Sequence, residues 1–469
     1  MNASAAAAPS NGIPRVSGKR VLVYSLGIEG RDLATWMLRK GASVTMSDTR
    51  SEAQLAAAGA APPPGVEEVV TGRPLLDADG FDLVAVSQSV LRHSPALVRA
   101  RSLGIPVTSQ MRLFLQLCPG HVVGITGSSG KSTTTALVGA MAARAGIDHL
   151  VGGNIGEPLL QRLDRVTPGT TVILEISHTQ LQYTERSPAV AAITNVTPNH
   201  LDQFNWDEYV GLKRNILTHQ DRDGIAILNA DDQTSRALAT SARGHLRWAS
   251  LAGEVAGDGT WVEDGRVLIR SGRRVHEVMP AASIRLRGRH NLANVVMACA
   301  VADAAGLPHE AMAAAAAAFR GVPHRLEIVG LAGGATWVND SIATAPERTI
   351  AGLNSFAEPV VLLLGGREKN LPLDGLQQLA RERCRAAVCF GEAGPLFHEA
   401  MVAAGVRAEL VSTLPDAIER AATLALPGDV VLLSPAATSF DAYPGFEARG
   451  QAFRDLVAAL PGFAAEVAP

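Results

Sequence analysis

The sequence predicts an α/β protein made of three doubly wound units, and three observations predict it. Short apolar runs of strand length alternate with helical patterns along most of the chain, as in parallel sheets covered by helices. Glycine-containing turns close several of those runs. The 469 residues correspond to about three domains at roughly 150 residues each. Hydrophobic residues make up 47% and charged ones 19%, enough to fill cores and to exclude a largely disordered chain. Lys plus Arg is 42 against 45 Asp plus Glu, so no global basic field exists and no nucleic-acid partner is expected. The four cysteines, at 118, 299, 384 and 389, form no CxxC pair. That pattern disfavours a zinc site or disulfide framework and fits a reducing cytoplasm. No run of 18 apolar residues occurs, so no membrane span is expected.

Residues 1–18 read as a tail, without the positive start and long apolar run of a signal peptide. The first unit, 19–117, opens with the strand Arg20–Tyr24. A turn with Gly27 and Gly30 follows, then a helical pattern (Leu33, Trp36, Met37) and a strand at Ser43–Met46 closed by Asp48. Further strands fit Leu83–Val86 and Pro106–Thr108. The second unit, 118–321, has strands at His121–Thr126, Thr171–Glu175 and Ala191–Asn195, and a helix Lys131–Ala145. Leu246–Met279 reads as short irregular strands and turns. Helices His290–Ala304 and His309–Phe319 end the unit; the alanine run in the latter needs no explanation beyond helix propensity. The third unit, 322–469, has strands at Thr336–Asn339, Val360–Leu364, Ala386–Phe390, Ala408–Val411 and Val430–Leu433.

The most specific motif is Gly124-Ile-Thr-Gly127-Ser-Ser-Gly130-Lys131-Ser132, between a strand and a helix. Small residues let backbone N–H groups wrap phosphate oxygens, Lys131 neutralises the outer phosphates, and Ser132 or Thr133 reaches Mg²⁺. The usual spacing wants Gly at 125, where Ile stands, so the loop is a variant. It predicts ATP binding. Glu175, at the carboxyl end of an apolar strand, is placed for Mg²⁺. His200, in Asn195-Val-Thr-Pro-Asn-His-Leu-Asp202, is a candidate ligand with Asp202 to orient it; a structural hydrogen bonder is the alternative. Nothing local marks Lys213. Ser25-Leu-Gly27-Ile-Glu-Gly30, with Asp48 further on, is a partial dinucleotide fingerprint whose first glycine is Ser25. Lys369 after Gly365-Gly366, and Ser434 to Ser439, occupy strand ends where ligands of parallel sheets bind. The expected architecture is therefore an N-terminal Rossmann-like domain, a central P-loop ATPase-like parallel sheet and a C-terminal Rossmann-like domain.

Together these motifs resemble the Mur ligases of peptidoglycan synthesis, and within them the glutamate-adding branch, over about Lys19 to Phe463. The matching segments are Thr126–Thr133, Gly152–Gly156, Glu175–Leu181, Asn195–Asp202, His290-Asn291, His324-Arg325, Asn339-Asp340-Ser341, Leu433–Ser439 and Phe446–Gly450. The resemblance implies a cytoplasmic, ATP- and Mg²⁺-dependent ligase, expected as a monomer, that joins glutamate to UDP-N-acetylmuramoyl-L-alanine. UDP-sugar binding would fall to Ile28, Glu29, Asp48, Thr49 and Arg50, with Asn154 and His200 nearer the reacting end. ATP would be held by Gly127, Gly130, Lys131, Ser132, Thr133, Asn291, Arg325 and Asp340. Mg²⁺ would involve Ser132 or Thr133, Glu175, His200 and a carbamylated Lys213; the catalytic set is Lys131, Glu175, His200 and Lys213. Glutamate would meet Thr344, Lys369, Ser439 and Phe446.

Three departures stand out. Ser-Pro-Gly of the family is Ser87-Gln88-Ser89, Ser-Phe is His178-Thr179, and the lysine after Asn-Asp-Ser is Ile342. The last lies near the implied glutamate site, so an L-glutamate-adding variant stays open, as do another Mur ligase and a folylpolyglutamate synthase. An NAD-dependent oxidoreductase would use Gly27 and Gly30 but leaves the phosphate loop unexplained. A non-catalytic ATP-binding regulator is a further alternative.

Overall fold

Buried parallel strands need apolar side chains on both faces, and the first sheet shows why Arg20–Tyr24 was legible: four of its five residues are buried. A computed structural model describes residues 15–465 except 58, 156–157, 200–202, 287 and 370. The first sheet consists of β1 (Arg20–Tyr24), β2 (Ser43–Asp48), β3 (Glu68–Thr71), β4 (Leu83–Val86) and β5 (Val107–Ser109), all parallel, in the order β3-β2-β1-β4-β5. Order reverses beside β1, which places the turn after it at the crevice of a doubly wound sheet.

The second sheet contains β6 (His121–Thr126), β7 (His149–Gly153), β8 (Thr171–Glu175), β9 (Val190–Ile193), β10 (Ile225–Asn229), β11 (His245–Ser250), β12 (Gly259–Glu263), β13 (Arg266–Ser271) and β14 (Arg274–Pro280). Its order is β14-β13-β12-β11-β10-β9-β6-β8-β7. The region read as irregular, 246–279, is instead a regular extension of this sheet. β12, β13 and β14 pair antiparallel, turned at Gly265 and Gly272, both at positive φ. The helix Lys131–Arg144 packs between this sheet and the helices Arg289–Ala304 and His309–Ala318.

The third sheet holds β15 (Glu327–Ala332), β16 (Ala335–Asn339), β17 (Val360–Gly365), β18 (Cys384–Phe390), β19 (Ala408–Leu410), β20 (Val430–Leu433) and β21 (Ala464–Ala465), in the order β19-β18-β17-β20-β16-β15-β21. It is parallel except where β15 meets β16 and β21. The chain divides into two compact units between Phe319 and Arg320, the first two sheets sharing one unit. Each is described by itself. Among the described residues no helix is long and apolar enough to cross a membrane. The cysteines are free; Cys118, Cys299 and Cys389 are buried and Cys384 is partly so.

Candidate active site

In the second sheet β6 has β9 on one side and β8 on the other, so the crevice between oppositely running connections opens at its carboxyl end. The loop 127–130 stands there. Gly127 and Gly130 sit at φ 152° and 79°. A Cβ at Gly127 would lie 1.9 Å from Thr194 Oγ1, and one at Gly130 would lie 2.2 Å from Asn294 Oδ1. Both positions therefore exclude a side chain on steric as well as conformational grounds. Gly130 caps the helix Lys131–Arg144 without a side-chain bond, which leaves first-turn N–H groups to an anion. Neighbouring strand ends hold the loop in shape. Thr194 Oγ1 donates to the Ser129 carbonyl (2.6 Å), and Asn195 Oδ1 accepts from the Ser129 N–H (3.0 Å). Asn291 lies one helical turn from Asn294, whose Nδ2 donates to it (3.3 Å).

Two lysines converge on this loop. Lys131 Nζ donates to the carbonyls of Gly127 (2.9 Å) and Ser128 (3.1 Å), and Lys213 Nζ donates to the same Gly127 carbonyl at 2.7 Å. Lys213 is 1% exposed and lies 4.6 Å from the centre of the Tyr209 ring. Burial, reinforced by the charge of Lys131, pushes its amine down to about 6. A lysine that no local motif marks is thus a buried amine that holds its proton weakly.

Glu175 ends β8 with a relative exposure of 2%. Its Oε1 accepts from Asn154 Nδ2 at 2.8 Å. Its Oε2 is buried and has no hydrogen-bond partner among the described residues, a costly state for a carboxylate oxygen unless a cation meets it. This is the observation that fits a divalent ion. Among the described residues no three His, Cys, Asp or Glu side chains form a cluster that could hold a metal. Ser132 is buried and Thr133 half-buried at the helix start. His200, Asp202 and Gly156 lie outside the described residues.

At the first sheet, Ser25 takes the missing glycine's place at φ 85°, its Oγ accepting from the Gly27 N–H. A Cβ on Gly30 would lie 1.9 Å from the Ser25 carbonyl, so this glycine is obligatory for the helix Ile28–Arg39 to pack on the turn. Ile28, at the start of that helix, is an apolar side chain 60% exposed. Glu29 turns inward, accepting from the Gln88 N–H (2.7 Å) and Gln180 Nε2 (2.7 Å); burial raises its carboxyl above the usual value despite those bonds. Asp48 is engaged by the Leu26 N–H and by Arg50, while Thr49 is exposed.

In the second unit, the ends of β16, β17 and β20 supply the sequence-predicted residues. Lys369 is exposed, and its Nζ donates to Thr344 Oγ1 at 3.2 Å. Ser439 is buried, and Phe446 begins the helix Phe446–Ala458. That helix also carries an arginine to which the sequence motifs give no role. Arg449, 1% exposed, donates to Ser341 Oγ and to the carbonyls of Ser341, Gly365, Ala437 and Thr438. It thereby ties all three strand ends together. Its signal is the Arg in Phe446–Gly450, but Ser341 and Gly365 lie 108 and 84 residues away.

Asp340 accepts from Ser434 Oγ (2.9 Å) and the Leu326 N–H (3.2 Å). Burial raises its carboxyl to about 7, opposed by those bonds and by Arg325 and Arg348. The folded state therefore binds this proton more tightly than the unfolded chain. The resulting stabilisation is complete below the ordinary aspartate value and is lost as pH rises through about 7. Asp340→Asn is expected to flatten the pH dependence of unfolding between about pH 4 and 7, by up to about 4 kcal/mol. Urea unfolding across that range checks it; an unchanged slope in the variant removes Asp340 as the cause.

Comparison with known proteins follows the same division. The Mur ligase middle domain matches residues 125–302, and the Mur ligase glutamate ligase domain matches 324–437. Relatives named UDP-N-acetylmuramoylalanine--D-glutamate ligase include one from Symbiobacterium thermophilum, 37% identical over 94% of this chain and 98% of its own. Another, from Koribacter versatilis, is 40% identical over the same shares. Among solved structures, the UDP-N-acetylmuramate-alanine ligase of Thermotoga maritima covers 93% of this chain and 98% of its own, with a TM-score of 0.52 and 18% identity, a likeness of fold. Relatives so similar, aligned over nearly the whole length, with the loop 127–130 inside one matched domain and the other matched domain inside the second unit, leave one assignment: the chain belongs to the Mur ligase family.

Proposed function

We propose that this chain is an ATP-dependent ligase that joins D-glutamate to UDP-N-acetylmuramoyl-L-alanine in peptidoglycan precursor synthesis. The carrying observation is the glycine-built phosphate loop with Lys131 and the buried Lys213 on one carbonyl. The names of the full-length relatives support D-glutamate over the L-enantiomer. Residues 19–117 take the UDP-sugar, 118–321 the ATP phosphates, and the second unit the amino acid.

The chemistry follows from the acceptor. A carboxylate is a poor acyl donor because oxide is a poor leaving group. Transfer of the γ-phosphoryl from ATP to the alanyl carboxylate releases ADP and makes an acyl phosphate; the glutamate amine then attacks its carbonyl, loses a proton and expels phosphate, forming the amide. The loop N–H groups and Lys131 hold the phosphates and offset charge that builds on the transferring group. Mg²⁺, when bound, would supply further neutralisation of the phosphates. Ser132 or Thr133, Glu175, His200 and Lys213 are the residues to hold it. For Lys213 this requires carbamylation: a neutral amine adds CO₂ and loses a proton, becoming an anion. Its buried, deprotonated state is what that addition needs.

Phosphate release should depend on UDP-N-acetylmuramoyl-L-alanine and D-glutamate together; turnover with L-glutamate instead would reverse the stereochemical assignment. In the same assay Lys369→Ala is expected to raise the glutamate KM by about 10–100-fold while leaving that for ATP nearly unchanged. Because Lys369 is exposed, the loss is that of a charge-assisted hydrogen bond, about 1.5–3 kcal/mol, not of a buried ion pair. An unchanged glutamate KM would make Lys369 a bystander.

A further inference from the structure

The loop after β4 carries Gln88, where the sequence departs from its relatives' expected proline. Its side chain crosses from the first sheet to the second. Gln88 Nε2 donates to Asn154 Oδ1 (3.1 Å), and Gln88 Oε1 accepts from Ser177 Oγ (2.7 Å) and Thr179 Oγ1 (3.1 Å). Its backbone N–H is fixed by Glu29. Asn154 in turn donates from Nδ2 to Glu175 Oε1, and its backbone N–H bonds the Glu175 carbonyl at 2.8 Å.

The backbone bond fixes where Asn154 stands but not which way its amide faces. An amide has one donor end and one acceptor end. The Glu175 carboxylate only accepts, so the Asn154 NH₂ faces Glu175 and the Asn154 oxygen faces Gln88. Gln88 must then present Nε2 to Asn154, leaving its Oε1 to the hydroxyls of Ser177 and Thr179. The Asn154 NH₂ occupies one oxygen of Glu175 and leaves the buried Oε2 as the one without a protein partner among the described residues. An unbroken chain of hydrogen bonds thus links Ser177 and Thr179 through Gln88 and Asn154 to one Glu175 oxygen.

We infer that Gln88 is a positioning residue for the divalent cation: it orients Asn154, which orients Glu175 to present Oε2. The inference rests on the reading of Glu175 as a metal ligand. Without Gln88 the Asn154 side chain loses the anchor on its oxygen and is held, among the described residues, only through Glu175, so it no longer fixes where that carboxylate points. Groups that orient a metal ligand from behind are typically worth about 10–100-fold in metal affinity.

The test measures Mn²⁺ binding by electron paramagnetic resonance, with a non-hydrolysable ATP analogue present and no turnover. Gln88→Met keeps the length of the side chain and removes its hydrogen bonds. It should weaken Mn²⁺ binding about tenfold. In an Asn154→Ala background the same change should cost nothing further, because its route is gone. A merely structural role would give losses that add. Gln88→Asn, which keeps an amide but withdraws it by one methylene, should weaken Mn²⁺ similarly and serves if Gln88→Met does not fold. Unchanged affinity in both Gln88 variants, beside a loss in Glu175→Gln, would overturn the inference and leave the metal reading standing. Unchanged affinity in Glu175→Gln would overturn both.

Discussion

Lys131→Ala is expected to lower the ligation rate by on the order of 10²-fold or more, while UDP binding stays nearly intact. The ammonium group lies on the Gly127 and Ser128 carbonyls, within the loop that the phosphates would enter. UDP contacts are proposed on the first sheet, at Ile28, Thr49 and Arg50. Removing the cation therefore takes charge away from the transferring phosphoryl group without touching the other substrate. The loop itself should keep its shape, since Thr194 and Asn195 hold Ser129 independently of the lysine. Single-turnover phosphate transfer and UDP titration separate the two effects. Near-normal turnover in the variant would remove Lys131 from the mechanism.

How much of this was legible beforehand depends on where each signal resides. β1, β4, β6, β8 and β20 were read to the residue because strands buried on both faces are continuous Val, Ile and Leu runs. β14 was missed as a regular strand because its residues Arg274–Glu277 are exposed, so the sequence offers charge where a pattern was sought. β7, His149–Gly153, hid for another reason: its two glycines look like a turn, yet Gly152 lies directly against Leu159 and Leu174. The phosphate loop was legible because its constraint is local, a demand for Gly at two adjacent turns. Gln88, Arg449 and Lys213 were not. Their long-range side-chain bonds span 66 residues or more for Gln88, 84 and 108 for two of those of Arg449 and 86 for Lys213. Resemblance pointed to Lys213, but only the fold shows why an amine there is unusual.

That unusual amine gives the last expected result. Lys213→Ala should abolish ligation, by on the order of 10²-fold or more, and a small carboxylate such as acetate should partly restore it by occupying the carbamate's place. Stability should move the other way. An amine whose folded value lies near 6, against about 10.4 in an unfolded chain, binds fewer protons when folded. Stability at this site therefore rises with pH between those values, and at pH 7 the chain carries a desolvation cost of about 5 kcal/mol at most. Lys213→Met retains the apolar stem and deletes the amine, so in CO₂-depleted buffer at pH 7 it should unfold at higher temperature than the parent. Adding bicarbonate should narrow that difference, because a carbamate that binds the metal repays part of the cost in the parent alone. A variant that gains stability while losing ligation marks a residue kept for chemistry at the expense of the fold. Full activity of Lys213→Ala would dispose of the carbamate. No stability gain in Lys213→Met would show that the buried amine is better accommodated than its surroundings, Gly127 and the Tyr209 ring, imply.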